Sequence, residues 1–132
     1  MTDEGLNAGE AAVRRFYEAI NAGDAVGADV LLDPGVRWHR PPDVPVTGTI
    51  EGAEAVGRMW AAFGRGVDAL EISPSRFEFG AGLLLAPVTF RGSGRSGDFE
   101  FGGAQVFRVA DGLIAEVWEF RSLPEARALL TR

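Results

Sequence analysis

The single histidine of the chain, His39, lies in the segment VRWHRPPDVPVTGTIEG. An unperturbed imidazole titrates close to neutral pH, so this residue is a candidate general acid or base. Side chains alternate along a strand, so His39 shares a face with Arg37, whereas Trp38 and Arg40 share the other. If Arg40 faces a pocket, His39 points away from it, unless Pro41 introduces a bulge. A pocket role and a structural role at a strand end are both open for His39.

A second candidate group lies in the segment AEVWEFRS. Glu119 and Arg121 fall on one face of a predicted strand, and Trp118 and Phe120 fall on the other. In one interpretation the polar pair is solvated and the aromatic side chains form the core. In the other, the polar pair lines an apolar pocket and the aromatic side chains meet a second copy of the chain. Glu119 would then act as a general base or form a structural ion pair.

Two further polar residues are candidates for the same pocket. Gln105 is predicted to face it between Gly103 and Phe107, where its amide can donate a hydrogen bond to a ligand oxygen without ionising. Arg40 can orient an anionic group or pair with Glu119. The alternatives are a satisfied amide within a strand and a structural ion pair. The candidate catalytic set is therefore His39, Glu119, Arg121, Gln105 and Arg40.

Apolar residues on the corresponding faces are predicted to form the wall of the pocket. Each is equally well explained as part of the core, including the single tyrosine, whose hydroxyl can reach a pocket from the first helix. The candidate ligand-binding set is Phe16, Tyr17, Trp38, Trp60, Phe63, Val88, Phe90 and Val117.

The composition of the chain further restricts the classes of function and the kinds of site that it can have. The chain has 132 residues, a formal net charge of −6 and no cysteine, which predicts one domain over residues 1–132 and argues against nucleic-acid binding and thiolate chemistry. One histidine without clustered carboxylates predicts no metal site. The GSGRSG motif joins two predicted antiparallel strands, so it predicts a turn rather than a nucleotide site, and no cofactor is expected. The polar N-terminus and short apolar runs predict a cytoplasmic protein without a membrane span.

Helical periodicity dominates the first half of the chain. Val13, Phe16, Tyr17 and Ile20 form one apolar stripe, with a predicted cap at Asn7. A short second helix follows Asp24 and stops at the DPG motif of residues 33–35. A strand over Val36–Arg40 and a third helix over roughly Gly52–Phe63 complete this half.

The second half alternates with a period of two. This pattern predicts the strands Val67–Phe79, Leu83–Arg91, Asp98–Ala110 and Leu113–Arg121, followed by a closing helix over Leu123–Leu130. The order of elements predicts an α+β fold: a cone-shaped α+β barrel, in which three helices from the N-terminal half pack on the concave face of a curved, mostly antiparallel sheet. The interior of such a cone is a natural pocket.

Three segments in this order resemble the nuclear transport factor 2-like superfamily, and within it the SnoaL-like and ketosteroid isomerase-like branch. They are RRFYEAINAGD, VRWHRP with GTIEGAEAV, and VFRVADGLIAEVWEF, and the resemblance covers about residues 8–130. It implies a deep apolar pocket and a homodimer packed through the outer sheet face. The functions that it implies include isomerases, dehydratases, polyketide cyclases, epoxide hydrolases and proteins that only bind.

The resemblance also implies positions for catalytic groups, and this chain departs from them. The oxyanion tyrosine of ketosteroid isomerases corresponds to Phe16, the general-base aspartate to Arg40, and the second oxyanion acid to Gln105. The late acid of SnoaL-like cyclases, in a W-x-x-x-D pattern, corresponds to Ser122. These differences argue against steroid-type proton transfer and weaken the case for cyclase activity.

The sequence thus predicts an enzyme that needs no cofactor and acts by general acid–base catalysis on a small hydrophobic, oxygen-bearing metabolite. A polyketide-, steroid- or terpenoid-like substrate fits this description, with isomerisation, cyclisation, dehydration or epoxide hydrolysis as the reaction. The alternative is a non-catalytic module on the same fold that binds a small ligand or dimerises. A closed network among the polar residues would favour the alternative, and unpaired polar groups in an open cavity would favour the enzyme.

Overall fold

The structure, a computed structural model, describes residues 3–41 and 48–131. Helices and strands alternate in the N-terminal half, and strands dominate the C-terminal half. The helices are α1 (Asp3–Asn21), α2 (Ala25–Asp29), α3 (Ala53–Gly64) and α4 (Leu123–Leu130). The strands are β1 (Leu32–Arg40), β2 (Gly48–Glu51), β3 (Val67–Pro74), β4 (Glu78–Gly80), β5 (Leu83–Gly94), β6 (Gly97–Ala110) and β7 (Leu113–Phe120). None of the described helices is both long and apolar enough to cross a membrane.

The strands form one curved sheet in the order β2-β1-β7-β6-β5-β3, with β4 paired to β5. Only β1 and β7 pair in parallel; the other described pairs are antiparallel. The sheet does not close, because β2 and β3 form its two outer edges. This architecture confirms the predicted α+β class.

The inner face of the sheet holds the larger core. Helices α1, α2 and α3 contribute to it, as the sequence predicts, and alternate residues of the central strands project into it. Its largest fully buried side chains include Trp38, Phe16, Phe107, Ile72 and Ile114. This packing fixes the positions of every polar side chain that shares the inner face.

A second, smaller core lies on the outer face under α4. Leu85, Ala104 and Val106 from the sheet pack with Ala126 and Leu129 of α4. The two aromatic residues of β7, at positions 118 and 120, pack against this cluster. Helix α4 has the bounds that the sequence predicts. It covers part of the outer face. Pairing with a second copy of the chain through this face stays a prediction.

One additional strand and several boundaries differ from the sequence predictions. Helix α1 begins at Asp3 and its backbone is helical through residue 7, so the cap predicted at Asn7 is wrong. Strand β1 begins at Leu32 and includes the DPG motif, with a register irregularity before Arg37. Strand β2 is absent from the prediction because its glycines and loop context hide the pairing. The strand predicted over residues 67–79 is divided into β3 and β4, since Pro74 cannot donate to a ladder.

Both predicted hairpin turns are confirmed. Asp111 and Gly112 adopt φ angles of 53° and 78° between β6 and β7, the pair of positive values that a tight hairpin turn requires. The GSGRSG segment joins β5 to β6, with Gly94 paired to Gly97. Its glycines serve the hairpin and open no helix.

An ion pair ties α4 to β4. Nε and Nη2 of Arg127 lie 2.9 and 3.0 Å from the Glu78 carboxylate, and Nη2 of Arg76 lies 2.8 Å from it. Hydrogen bonds from Arg127, and then from Arg76, lower the pKa of Glu78 from 4.5 to about 2. A lowered folded-state pKa stabilises the fold above pH 4.5, and this contribution is lost as the pH falls towards 2.

We therefore expect Glu78→Gln to lower the free energy of unfolding by up to about 1 kcal/mol at neutral pH. The difference from the wild type should shrink below pH 4.5 and vanish near pH 2. Denaturant unfolding across this range measures it. The matched control is Glu54→Gln, because Glu54 pairs with Arg58 on the surface of α3 and its side chain is 90% exposed. An equal loss in both variants would contradict a special role for Glu78.

Candidate functional site

A cavity of about 450 Å³ lies between the end of α1, helices α2 and α3, and the start of β3. Aromatic and small apolar side chains form most of its wall, including Phe16, Trp60 and Phe63. Asn21 fixes the end of α1 beside it, because its side-chain amide exchanges two hydrogen bonds with the backbone of Ile72, at 2.7 and 3.0 Å. This space stays unfilled because α2 is short and α3 contains glycine.

Trp60 contributes a buried polar atom to the cavity wall, which also includes the polar side chains of Asn21, Asp24, Asp29 and Asp68. Its indole Nε1 is buried and has no hydrogen-bond partner among the described residues. The ring packs edge-on against Trp38 and Phe63, with ring centroids 5.9 and 6.1 Å apart. A buried indole N–H normally finds an acceptor. This donor is buried in the wall, so a ligand oxygen would satisfy it only where the Trp60 ring turns Nε1 towards the cavity.

A separate polar network lies deeper on the inner face. The Tyr17 hydroxyl donates to Gln105 Oε1 at 2.7 Å, and Gln105 Nε2 is 3.5 Å from Glu119 Oε2. Trp38 Nε1 donates to Glu119 Oε1 at 2.5 Å, and Arg40 Nε lies 3.3 Å from the same oxygen without hydrogen-bond geometry. The pairing of Gln105 with Glu119 across β6 and β7 puts both side chains on one face. The structure thus brings together three of the predicted catalytic residues and two of the predicted ligand-binding residues.

Burial determines the protonation state of Tyr17 in this network. Tyr17 is 2% exposed, and burial, followed by the charge of Glu119, raises its pKa well above 10. The hydroxyl therefore stays protonated and acts as a donor. Gln105 is 1% exposed, and its amide links the Tyr17 hydroxyl to the Glu119 carboxylate. The sequence comparison had placed the family tyrosine position at Phe16, but in the structure Tyr17 carries the hydroxyl that reaches the inner polar residues.

The cavity and the polar network are separated by aromatic packing. Phe16 lines the cavity, and its ring lies 5.9 Å from that of Trp38 and 6.4 Å from that of Tyr17. The network residues themselves do not line the cavity. Most of their polar atoms bind one another, and Glu119 Oε2 has only the 3.5 Å contact with Gln105. Among the described residues, this oxygen is the carboxylate atom of the network with the fewest close hydrogen-bond partners.

His39 lies on the outer face of the sheet. Its ring stacks on Trp118 at 5.4 Å, with Nδ1 2.8 Å from Thr49 Oγ1 and Nε2 2.6 Å from Glu116 Oε2. Strand alternation therefore holds through this part of β1, with no bulge at His39. Arg40 reaches Glu119 on the inner face and His39 lies on the outer face, as strand alternation predicts, so of the two roles left open for His39 the structure does not support the one in the pocket.

Arg121 also lies apart from the network. It follows the last residue of β7, its side chain is exposed, and it makes an interaction of its own. The alternation that predicted a shared face with Glu119 ends with the strand at Phe120. Across residues 3–41 and 48–131, no three histidine or acidic side chains converge to hold a metal ion.

The predicted ligand-binding residues divide into two groups. Phe16, Trp60 and Phe63 line the cavity, whereas the other five are buried in the core behind it: Tyr17, Trp38, Val88, Phe90 and Val117. Sequence reasoning missed the contribution of α2 and β3, including Ala28 and Leu70. Small residues such as alanine carry no signal for a cavity wall, because the space that they leave depends on the tertiary packing.

We expect Tyr17→Phe to destabilise the fold by about 1–3 kcal/mol, because it leaves Gln105 Oε1 buried without its donor. The double variant with Gln105→Met removes both partners, and we expect it to cost at least about 1 kcal/mol less than the sum of the single variants. Chemical denaturation of the four proteins measures this cycle. Additive losses would contradict a buried Tyr17–Gln105 bond.

Comparisons with known proteins agree with this fold. The SnoaL-like domain family matches residues 13–117. An NTF2-like protein of unknown function from Burkholderia pseudomallei is 22% identical, with a TM-score of 0.77 over 95% of this chain and 98% of that one. TerC, co-crystallised with polyporic acid, is 15% identical, with a TM-score of 0.76 over 95% and 99%.

A third similar structure is a Mycobacterium tuberculosis protein in complex with estradiol-17β-hemisuccinate. It is 19% identical, with a TM-score of 0.73 over 89% of this chain and 95% of that one. A search of curated proteins found no match. The structural likenesses show a shared fold, and the match over residues 13–117 shows the family. The chain belongs to the SnoaL-like domain family of the NTF2-like superfamily.

Proposed function

We propose that the protein binds a small, mainly apolar, oxygen-bearing molecule in the cavity between α1, α2, α3 and β3. The observation that carries this proposal is the mainly apolar cavity, with the buried Trp60 Nε1 in its wall as a donor that has no partner among the described residues. A mainly apolar molecule fills the space, the Trp60 ring turns its Nε1 towards it, and an oxygen atom of the ligand accepts the indole hydrogen bond. Binding then recovers the free energy that the unsatisfied donor costs the free protein.

The size and composition of the cavity support this class of ligand. Its volume of about 450 Å³ lies within the range of small-molecule sites, which are mostly apolar with a few placed polar groups. The aromatic rings of Phe16, Trp60 and Phe63 provide flat apolar surface. Polyporic acid and estradiol-17β-hemisuccinate, the molecules held by two similar structures, are organic and oxygen-bearing.

Binding without chemistry is favoured by the state of the inner polar network. Tyr17, Gln105, Trp38 and Arg40 all direct polar atoms at one another or at Glu119. A network whose polar atoms mostly bind one another stabilises the interior and leaves few groups for a substrate, here Arg40 Nε and Glu119 Oε2. The cavity, in contrast, presents no member of this network to a ligand.

Acid–base catalysis at Glu119 is the second candidate function. It is favoured by Glu119 Oε2, whose only described hydrogen bond is the long contact with Gln105. A ligand reaching past Phe16 would give a proton to this oxygen. The carboxyl group would then return the proton to another carbon or oxygen of the ligand, as isomerisation, cyclisation or dehydration requires. Gln105 and Arg40 would hold developing charge on a substrate oxygen. No cofactor takes part in this scheme.

The binding proposal is tested with two compounds of nearly equal shape, acetylnaphthalene and isopropenylnaphthalene, of which only the first carries an oxygen. We expect Trp60→Phe to weaken binding of the ketone about 3–10-fold, because one hydrogen bond is lost, and to leave the hydrocarbon almost unchanged. Titration calorimetry measures both affinities. Trp118→Phe, on the outer face, is the matched control.

A second variant locates the site. Gly57 lines the cavity, and a Cβ built there meets no atom within 4 Å, so Gly57→Phe occupies free space at little cost to the fold. It should weaken both compounds. Binding of both that is unaffected by Gly57→Phe, or an equal effect of Trp60→Phe on both, would overturn the proposal.

Catalysis is tested independently of binding. If Glu119 is the base, Glu119→Gln should lower turnover of a bound substrate at least about 100-fold while changing its affinity far less. Single-turnover kinetics with ketones selected by the binding measurement give the comparison. Retained turnover in this variant would exclude Glu119 as the base.

A further inference from the structure

The outer face carries a second group of reactive side chains that is independent of the cavity. Thr49, His39 and Glu116 form a continuous chain of contacts across β2, β1 and β7. The distances are 2.8 Å from Thr49 Oγ1 to His39 Nδ1 and 2.6 Å from His39 Nε2 to Glu116 Oε2. A hydroxyl, an imidazole and a carboxylate in hydrogen-bond reach of one another are the elements of an activated nucleophile.

The carboxylate determines which imidazole nitrogen can act as a base. An ionised Glu116 only accepts hydrogen bonds, so the nitrogen beside it, Nε2, carries the proton of the neutral ring. The other nitrogen, Nδ1, then has a free lone pair, and the Thr49 hydroxyl donates to it. Thr49 is therefore polarised towards deprotonation by its own partner.

Packing holds this arrangement in one geometry. The imidazole stacks on Trp118, with an angle of 20° between the two planes. Three side chains place further charges around the ring: Arg108 lies 3.4 Å from Glu116, Arg37 lies 4.0 Å from it, and Glu51 lies 3.6 Å from Arg37. The Glu116 side chain is only 14% exposed. The base and its orienting group are thus fixed, as pre-organised acid–base chemistry requires.

The nucleophile is the accessible member of the group. Thr49 is exposed and lies on β2, the outermost strand of the described sheet on that side. The Gly52 N–H bonds to the Val36 carbonyl, and because antiparallel N–H groups alternate, the Thr49 N–H points away from β1, towards the free edge. An N–H donor at the nucleophile itself is one of the groups that stabilise an oxyanion in acyl transfer.

We propose that Thr49 is an acyl-accepting nucleophile, with His39 as its general base and Glu116 as a positioning residue, and that this site hydrolyses activated carboxylic esters. Thr49 Oγ1 bonds to the ester carbonyl carbon while its proton passes to His39 Nδ1. The carbon–oxygen bond to the leaving group then breaks, and the departing alkoxide or phenoxide takes that proton. Water attacks the acyl-threonine in the same manner, releasing the carboxylic acid and restoring the hydroxyl.

The composition of the chain makes a direct test possible. All thirteen basic residues are arginine and there is no cysteine, so the lysine and cysteine side chains that acetylating reagents often modify are absent. We would treat the wild type with p-nitrophenyl acetate, follow nitrophenolate release, and map acetylation by peptide mass spectrometry. We expect a burst of product and an acetyl group on Thr49.

Variants separate the proposed chemistry from a structural tie between strands. Thr49→Ser should keep the burst, whereas Thr49→Val and His39→Gln should each lower the acylation rate at least about 100-fold. Thr131→Val is the matched control for an exposed threonine and should behave as the wild type. Glu116→Ala should change the ratio of the two neutral tautomers of the single histidine, read by nitrogen NMR, as well as the rate.

Three results would overturn the proposal. One is wild-type protein without acetyl on Thr49 under conditions that acetylate the N-terminus. Another is acetyl on His39 with Thr49→Val unchanged, which would make the imidazole itself the nucleophile. The third is an unchanged tautomer ratio in Glu116→Ala, which would remove the basis for an Nδ1 base.

Discussion

The parallel pairing of β1 with β7 is the constraint on which both groups of polar residues depend. Trp38 pairs with Val117, and His39 pairs with Trp118. Because neighbouring side chains leave a strand on opposite faces, this one register sends Trp38 inwards and His39 outwards. A shift by one residue would exchange the two faces and bury an imidazole in the apolar core. The inner network and the outer chain of contacts therefore lie on opposite faces of the same pair of strands.

The inner network shows how a charged group is accommodated in an apolar interior. A buried carboxylate is costly unless it is paired and hydrogen-bonded. Glu119 receives the indole of Trp38, the amide of Gln105 and the charge of Arg40. Each of these partners belongs to a different part of the fold from Tyr17, which completes the network from α1. The cavity beside it is mostly apolar, and two buried donors on the inner face, Trp60 Nε1 and Arg40 Nε, have no hydrogen-bond partner among the described residues.

Much of the fold follows from local sequence patterns, whereas the site depends on contacts that local patterns do not contain. The apolar stripe of α1, the alternation in β5, β6 and β7, and the Pro124 start of α4 are local features, and the corresponding elements have nearly the predicted bounds. Strand alternation alone also predicts that the side chains of His39 and Arg40 lie on opposite faces of the sheet. That His39 meets Glu116, 77 residues away, depends on a parallel crossover that no turn motif specifies.

The same limit explains the cavity. Its wall combines aromatic residues, which sequence patterns select, with Ala28 and residues near glycines, which they do not. Tyr17 and Phe16 are adjacent on an apolar stripe, and only the packing of α1 on the sheet decides that the phenol meets Gln105 while the phenyl ring lines the cavity. The distinction is a rotation of the helix, and a sequence alignment without gaps cannot resolve it.

Helix α2 has only five residues, far fewer than an isolated helix needs to persist in water. Its start is held by the Asp24 side chain, which accepts from the Gly27 N–H at 2.9 Å, and a Cβ at Gly27 would collide with that carboxylate. One wall of the cavity is thus among the least cooperative parts of the molecule, and local unfolding there costs less than global unfolding. A molecule that occupies the cavity adds the contacts that this helix lacks, so occupancy and the order of α2 are thermodynamically linked.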